Sequence, residues 1–155
     1  MSTTPLLLPR MANPALALDG ALPALLGVSK VAGRADLGFS PELLNLRASQ
    51  INGCAVCVDM HAKALRAAGE PEARVFAVSA WRETPYFSEP ERAALALTEA
   101  LTRIADAAEP VPDEIYDAAA EHFDEQQLAS IVLSIGVINL WNRLNVATRQ
   151  VVSAA

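Results

Sequence analysis

The chain has 155 residues, which is enough for one domain with a buried core, whereas two independent domains would be cramped. Apolar residues make up 52% of the sequence and charged residues 19%, a composition that excludes a disordered chain. The formal net charge of −6 argues against nucleic acid as a partner, because phosphate binding needs clustered Lys and Arg. The low aromatic content, with abundant Ala and Leu, favours helices over a β-sandwich or barrel.

The start of the chain predicts a loose arm over residues 1–12, followed by a single helical domain over residues 13–155. Helical sequence runs from about residue 14 to residue 34, with a bend expected between Gly20 and Pro23. The next helix is predicted to begin at Ser40, which serves as N-cap before Pro41 at the first helical position. It ends at Asn52-Gly53, a strong turn dipeptide.

A new helix opens at Cys54 and runs to Gly69, and a shorter one follows over residues 71–81. A capping box beginning at Ser88 predicts a long helix, and another helix is expected over residues 113–122. A second capping box at Asp124 starts a final helix that extends to about Gln150. No strand pattern is found, so we predict an all-α fold.

Residues 131–141 are apolar on nearly all sides of the last helix. A helix without a polar face is buried in a core or in a subunit interface, which predicts a homo-oligomer in a domain of this size. The same run is about half as long as a membrane span and is interrupted by polar residues, so we expect no membrane partner.

The first ten residues lack the order of charge and apolar run that defines a secretory signal, so we expect a cytoplasmic protein. Thiols are kept reduced there, and two cysteines spaced C-x-x-C are then more typical of a redox or metal site than of a structural crosslink.

The two cysteines and a histidine lie on one stripe of the helix that follows Asn52-Gly53. Cys54 and Cys57 occupy its first turn, where the free N–H groups lower the pKa of a thiol, and their spacing allows a disulfide. His61 lies one turn after Cys57 and could accept or relay its proton. A thiolate, a proton relay and a second thiol are the groups needed to reduce a peroxide.

Metal binding is the first alternative. Cys54, Cys57, His61 and Glu42 are of the right types for a four-ligand zinc site. Structural zinc sites usually bring two pairs of ligands from separate segments, whereas three of these four residues lie within eight residues of one helix. The spacing therefore favours redox chemistry over zinc.

The order of Glu42, Cys54, Cys57 and His61 resembles the E-x11-C-x-x-C-x3-H signature of the alkyl hydroperoxidase D family, which belongs to the wider carboxymuconolactone decarboxylase superfamily. The resemblance extends over roughly residues 37–149. It includes Phe87 and the stretches 46–53, 80–83, 91–95 and 138–146.

The resemblance implies an all-helical protein, assembled as trimers or hexamers, that reduces hydroperoxides without haem or metal, as a peroxiredoxin-type alkyl hydroperoxidase. It implies that Cys57 is oxidised to sulfenic acid, that Cys54 is proton donor and resolving thiol, and that His61 and Glu42 form the relay, the glutamate through water. Turnover would need a dithiol reductant, such as a lipoylated or thioredoxin-like protein.

The residues alone leave the division of roles between the cysteines open. Proximity to the helix start favours a low pKa for Cys54, whereas contact with His61 favours Cys57 as the reactive thiol.

One departure from the family concerns Ala55-Val56 between the cysteines, where peroxidase-type members often carry His or Tyr. A polar contact to substrate or reductant is therefore expected to be missing. A non-redox decarboxylase or lactone-processing enzyme of the same superfamily is a further alternative. Members of that branch generally lack the C-x-x-C pair, which argues against it.

Overall fold

The computed structural model describes residues 7–152, and within that range every regular element is a helix, as predicted. The α-helices are α1 (Pro14–Ala17), α2 (Ala21–Ala32), α3 (Glu42–Asn52), α4 (Ala55–Ala67), α5 (Glu72–Ala77), α6 (Glu89–Thr102), α7 (Asp113–Ala120) and α8 (Glu125–Ala147). Short 3-10 helices at Val78–Glu83 and Ile104–Asp106 follow α5 and α6.

The N-terminal region differs from the predicted bent helix. Residues 1–6 of the predicted arm lie outside the described residues, and residues 7–12 form no helix. Arg10 donates from its backbone N–H to the Thr148 carbonyl at 2.8 Å and from its guanidinium to the Ala147 carbonyl at 3.0 Å. Beyond it, α1 and α2 are separate helices, because Leu18 is extended and Gly20 adopts a left-handed φ of 77°. Glycine adopts that conformation without a steric cost.

The predicted capping boxes are present at the starts of α6 and α8. The Glu91 carboxylate accepts the Ser88 backbone N–H at 2.7 Å, and the Asp124 carboxylate accepts the Gln127 backbone N–H at 2.8 Å. The start of α3 differs slightly from the prediction. Helix α3 is assigned from Glu42, so that Pro41 stands at the N-cap position, but Pro41 already has helical dihedral angles and Oγ of Ser40 accepts the Glu42 backbone N–H at 3.4 Å.

The α3–α4 pair forms a tight helical hairpin. Gly53 follows α3 with a φ of 67°, a left-handed conformation that favours glycine. The Cys54 backbone N–H bonds to the Ser49 carbonyl at 3.1 Å, and Cys54 is then the N-cap of α4. The chain therefore reverses within two residues, as the Asn52-Gly53 dipeptide predicted.

Helix α3 is central to the molecule and packs against α4, α6 and α8. Its buried leucines share one core with apolar residues of α6 and α8, and complete burial of such a side chain contributes roughly 2 kcal/mol. The fully buried members of this core include Leu44, Leu46, Leu95, Leu97, Ile131 and Ile135.

Helix α8 buries only part of its surface against this core. Val132, Leu133 and Leu140 are each 39% exposed, so one apolar face of α8 is not covered by residues 7–152. Over residues 7–152, no helix combines the length and apolar character needed to cross a membrane.

Candidate functional site

The two cysteines lie at the start of α4, as predicted. Cys54 is the N-cap and Cys57 is in the first turn. They are joined by a disulfide with a Cα–Cα distance of 5.3 Å, and each residue is only 1% exposed. Both sulfurs are therefore shielded from bulk solvent, and a reactant must reach them through an opening between helices.

The structure brings Glu42 and His61 into direct contact. The hairpin explains this contact, because Glu42 lies eleven residues before Gly53 and His61 eight residues after it. At a rise of about 1.5 Å per residue, the two positions lie within about one helical turn of each other along the hairpin, a separation that their side chains can span. The Glu42 carboxylate hydrogen-bonds to Nδ1 of His61 directly, where the resemblance implied a contact through water.

The other ring nitrogen of His61 has no such contact. Its Nε2 is buried and makes no hydrogen bond to any described residue, and the residue as a whole is 6% exposed. A ring held by a carboxylate at one nitrogen and free at the other is suited to accept or deliver a proton.

Sequence reasoning missed a contact to the disulfide from the far end of the chain. Nδ2 of Asn145 on α8 donates to Sγ of Cys57 at 3.3 Å. Oδ1 of Asn145 in turn accepts a hydrogen bond from Nδ2 of Asn13 at 2.7 Å. The signal available in the sequence was the three-residue spacing of Asn139, Asn142 and Asn145, which places all three near one side of α8.

The other two asparagines of α8 hold the end of α3. Nδ2 of Asn52 donates to the side-chain oxygens of Asn139 and Asn142, at 3.0 and 2.9 Å. Nδ2 of Asn142 donates to Oγ of Ser49 at 3.0 Å. These bonds fix the turn that leads into Cys54, so α8 positions both the hairpin and the sulfur of Cys57.

A cavity of about 490 Å³ lies between α2, α3, α4 and α8. Cys57, His61 and Glu42 line it, whereas Cys54 is not among its lining residues. Most of the remaining wall is apolar and includes Val56, one of the two residues between the cysteines. The wall also contains Leu26, Pro41, Met60, Val137, Ile138 and Trp141.

The state of the two cysteines bears on the metal alternative. With their sulfurs in a disulfide, the cysteines do not present thiolate ligands in this state. In the part of the chain that the structure describes, no group of three or more His, Cys, Asp or Glu side chains could hold a metal ion.

The chain is similar to known proteins in both sequence and fold. Residues 41–100 match the model of the carboxymuconolactone decarboxylase family. The whole fold is similar to ATU0492 of Agrobacterium tumefaciens, a protein of unknown function described as a candidate antioxidant defence protein AhpD. The TM-score is 0.86 at 36% identity, over 95% of this chain and 99% of that one. The chain belongs to the AhpD-like group of the carboxymuconolactone decarboxylase superfamily.

Two further relatives of this AhpD-like chain are described as uncharacterised proteins. YdfG of Bacillus subtilis is 46% identical over 106 residues, which cover 68% of this chain and 71% of YdfG. YnjA of Escherichia coli is 35% identical over 110 residues, which cover 68% of this chain but only 57% of YnjA. An uncharacterised peroxidase-related protein from Silicibacter sp. TM1040 shares the AhpD-like fold, with a TM-score of 0.72 at 22% identity over 86% of this chain and 71% of that one.

The match to the family model contains all four residues predicted from the AhpD-like signature, namely Glu42, Cys54, Cys57 and His61. Asn13 and Asn145 lie outside the matched range. The site of this AhpD-like chain thus combines the α3–α4 hairpin of the signature with two amides from the chain's outer segments.

Proposed function

We propose that this AhpD-like protein is a thiol-dependent hydroperoxide reductase that uses Cys57 and Cys54 as its redox pair. The observation that carries the proposal is the position of Cys57, which lines a largely apolar cavity together with the His61–Glu42 pair. A hydroperoxide with an apolar body fits this cavity, since apolar side chains form most of its wall.

The same cavity supports a division of roles between the cysteines. Cys57 lines it and Cys54 does not, so a molecule that enters the cavity meets Cys57 first. We therefore assign the attack on peroxide to Cys57 and the resolving step to Cys54, in agreement with the implication of the family resemblance.

The reaction proceeds in two steps. The Cys57 thiolate attacks one peroxide oxygen, so that an S–O bond forms, the O–O bond breaks and the alcohol leaves with a proton supplied through His61 and Glu42. The thiolate of Cys54 then attacks the sulfenic sulfur of Cys57, and water leaves as the disulfide forms. In total one hydroperoxide and two thiols give one alcohol, one water and one disulfide.

A dithiol must then reduce this disulfide, and the burial of both cysteines restricts its shape. A slender dithiol such as a lipoyl arm can enter the cavity and exchange with Cys57, whereas the broad surface around a thioredoxin-like active site fits less well. We propose a lipoylated protein as reductant, acting in the cytoplasm where dithiols are kept reduced.

We also propose that the protein is a homo-oligomer, a trimer or hexamer as the family resemblance implies. The support is exposed apolar surface: Leu16 is 69% exposed, Phe76 is 72% exposed, and the described part of the chain leaves one apolar face of α8 exposed. Apolar surface of this kind is typical of subunit contacts. Light scattering coupled to size-exclusion chromatography measures the assembly directly.

The proposed chemistry predicts a fixed thiol stoichiometry. Reduced protein treated with one equivalent of cumene hydroperoxide is expected to lose two thiols per chain and to yield a peptide linked through Cys54 and Cys57. In the Cys54→Ser variant, the same treatment is expected to leave a sulfenic acid on Cys57 that dimedone traps. Mass spectrometry of the intact and digested proteins reads both results. Retention of both thiols after treatment would overturn the proposed function.

The proton relay predicts a loss of turnover when Glu42 is replaced by glutamine. Gln keeps the size of the side chain and can accept a hydrogen bond, but unlike a carboxylate it cannot take up a proton from His61. General acid–base catalysis contributes roughly 100-fold or more. We therefore expect kcat to fall by about 100-fold. The matched control is Asp59→Asn on α4, which removes one negative charge from an acid that pairs with exposed Lys63. Equal activity of the Glu42→Gln and Asp59→Asn variants would rule out the relay.

A further inference from the structure

We propose that Asn145 is a catalytic residue that donates a hydrogen bond to the Cys57 thiolate, and that Asn13 is the positioning residue that orients it. The inference deepens the proposed function and rests on the role assigned there to Cys57. Its basis is a continuous chain of hydrogen bonds that runs from the backbone of α1 through both amides to the sulfur.

The direction of this chain is fixed at its first bond. The backbone N–H of Ala15 can only donate, and it donates to Oδ1 of Asn13 at 2.9 Å. Nδ2 of Asn13 is therefore left to donate to Oδ1 of Asn145, at 2.7 Å. Nδ2 of Asn145 in turn must face Sγ of Cys57, at 3.3 Å. The N-cap of α1 thus sets which end of the Asn145 amide meets the sulfur.

A donor at this position matters because Cys57 is 1% exposed. Burial disfavours a charged thiolate, and an N–H group aimed at the sulfur favours it. The other ionisable side chains that line the cavity with Cys57 are Glu42 from α3 and His61 from α4. Among the described residues, those of α2 and α8 that line the cavity carry no charge, and Asn145 of α8 contacts the sulfur with a neutral N–H donor.

The test measures the thiolate of Cys57 in the reduced protein, with Cys54→Ser as background so that one thiol remains. Ultraviolet absorbance of the thiolate is followed against pH. Replacing Asn145 with alanine is expected to raise the midpoint of the Cys57 titration by about one pH unit. At a pH below the midpoint this corresponds to about tenfold less thiolate. A midpoint shifted by less than about 0.3 unit would overturn the role of Asn145.

Two substitutions of Asn13 test the orientation while keeping the cap of α1. Asp and Ser both accept the Ala15 N–H as N-caps, so the helix start is retained. Asp offers only acceptors, so Asn145 is expected to turn its oxygen toward the sulfur, and the midpoint rises. Ser does not reach Asn145, and a smaller rise is expected. Melting temperatures of both variants report whether the fold is intact.

A double-mutant cycle separates the charge that Asn13→Asp introduces from its effect on the orientation of Asn145. If Asn13→Asp acts by turning Asn145, its shift disappears when Asn145 is already alanine. A shift that persists in the Asn145→Ala background would show direct repulsion of the thiolate and would overturn the role of Asn13. The titration uses no peroxide, so this inference and the proposed function fail in distinguishable ways.

Discussion

Replacing Cys57 with serine is expected to slow hydroperoxide reduction on the order of a thousandfold or more, to near the uncatalysed rate. A serine hydroxyl is not a thiolate at neutral pH and cannot accept the peroxide oxygen as sulfenic acid does. The substitution replaces the sulfur of Cys57, which lines the cavity, with oxygen, while the His61–Glu42 pair and helix α4 are retained. Single-turnover consumption of cumene hydroperoxide by the reduced protein measures the loss.

The matched control is Cys54→Ser, which alters the other buried cysteine of the same turn. This variant is expected to consume one hydroperoxide per chain at a rate close to that of the parent protein, and then to stop because no disulfide forms. The reverse pattern, with fast consumption by Cys57→Ser and none by Cys54→Ser, would exchange the roles of the two cysteines. It would also contradict the argument from the cavity wall.

Replacing Glu99 with alanine is expected to lower the free energy of unfolding by about 3 kcal/mol. The Glu99 side chain is 8% exposed and accepts hydrogen bonds from Arg47 at 2.7 Å, Trp81 at 2.9 Å and Arg82 at 2.5 Å. These bonds join α3 and the 3-10 helix after α5 to α6. Without the carboxylate, the largely buried guanidinium of Arg47 and the N–H of Trp81 lose their acceptor.

Urea denaturation measures this effect, and a lowered midpoint with an unchanged slope indicates a change in stability alone. The control is Glu83→Ala, which removes the same charge from an exposed position next to Arg82. It is expected to change stability by no more than about 0.5 kcal/mol. Equal effects of the two substitutions would show that the buried hydrogen bonds of Glu99 add nothing to stability beyond the effect of one negative charge.

The Glu99 network also predicts a pH dependence of stability. Burial by itself raises the pKa of Glu99, but hydrogen bonds from Arg82, Trp81 and Arg47 and the charge of Arg47 outweigh it and hold the pKa below its ordinary value of 4.5. The unfolded chain therefore binds this proton more readily than the folded chain. The contribution of Glu99 to stability is complete above pH 4.5 and is lost as the pH falls through the lower pKa of the folded state.

The stability difference between the parent protein and the Glu99→Ala variant is accordingly expected to narrow in acid. Urea denaturation of both proteins at neutral pH and below pH 4.5 measures this difference. A difference that stays constant over this range would contradict the assigned pKa direction.

Much of the fold and of the candidate site could be predicted from the sequence because it depends on local geometry. Capping boxes at Ser88 and Asp124 act within one helical turn, and the turn at Asn52-Gly53 needs only a glycine that adopts positive φ. Even the Glu42–His61 pair depends on one hairpin, because helix rise on both sides of a tight turn brings the two positions within about one helical turn of each other. All four residues of the family signature lie on this hairpin.

The remaining features depend on how distant helices pack, which no local pattern encodes. The cavity needs walls from α2 and α8, and the Asn13–Asn145 bond joins residues 132 positions apart. Periodicity assigned α8 a buried apolar surface but could not predict that Asn145 would meet the sulfur of Cys57. Which side of a helix faces which neighbour is settled by the shared packing of the whole core, since each helix can bury its apolar surface only where the others leave room.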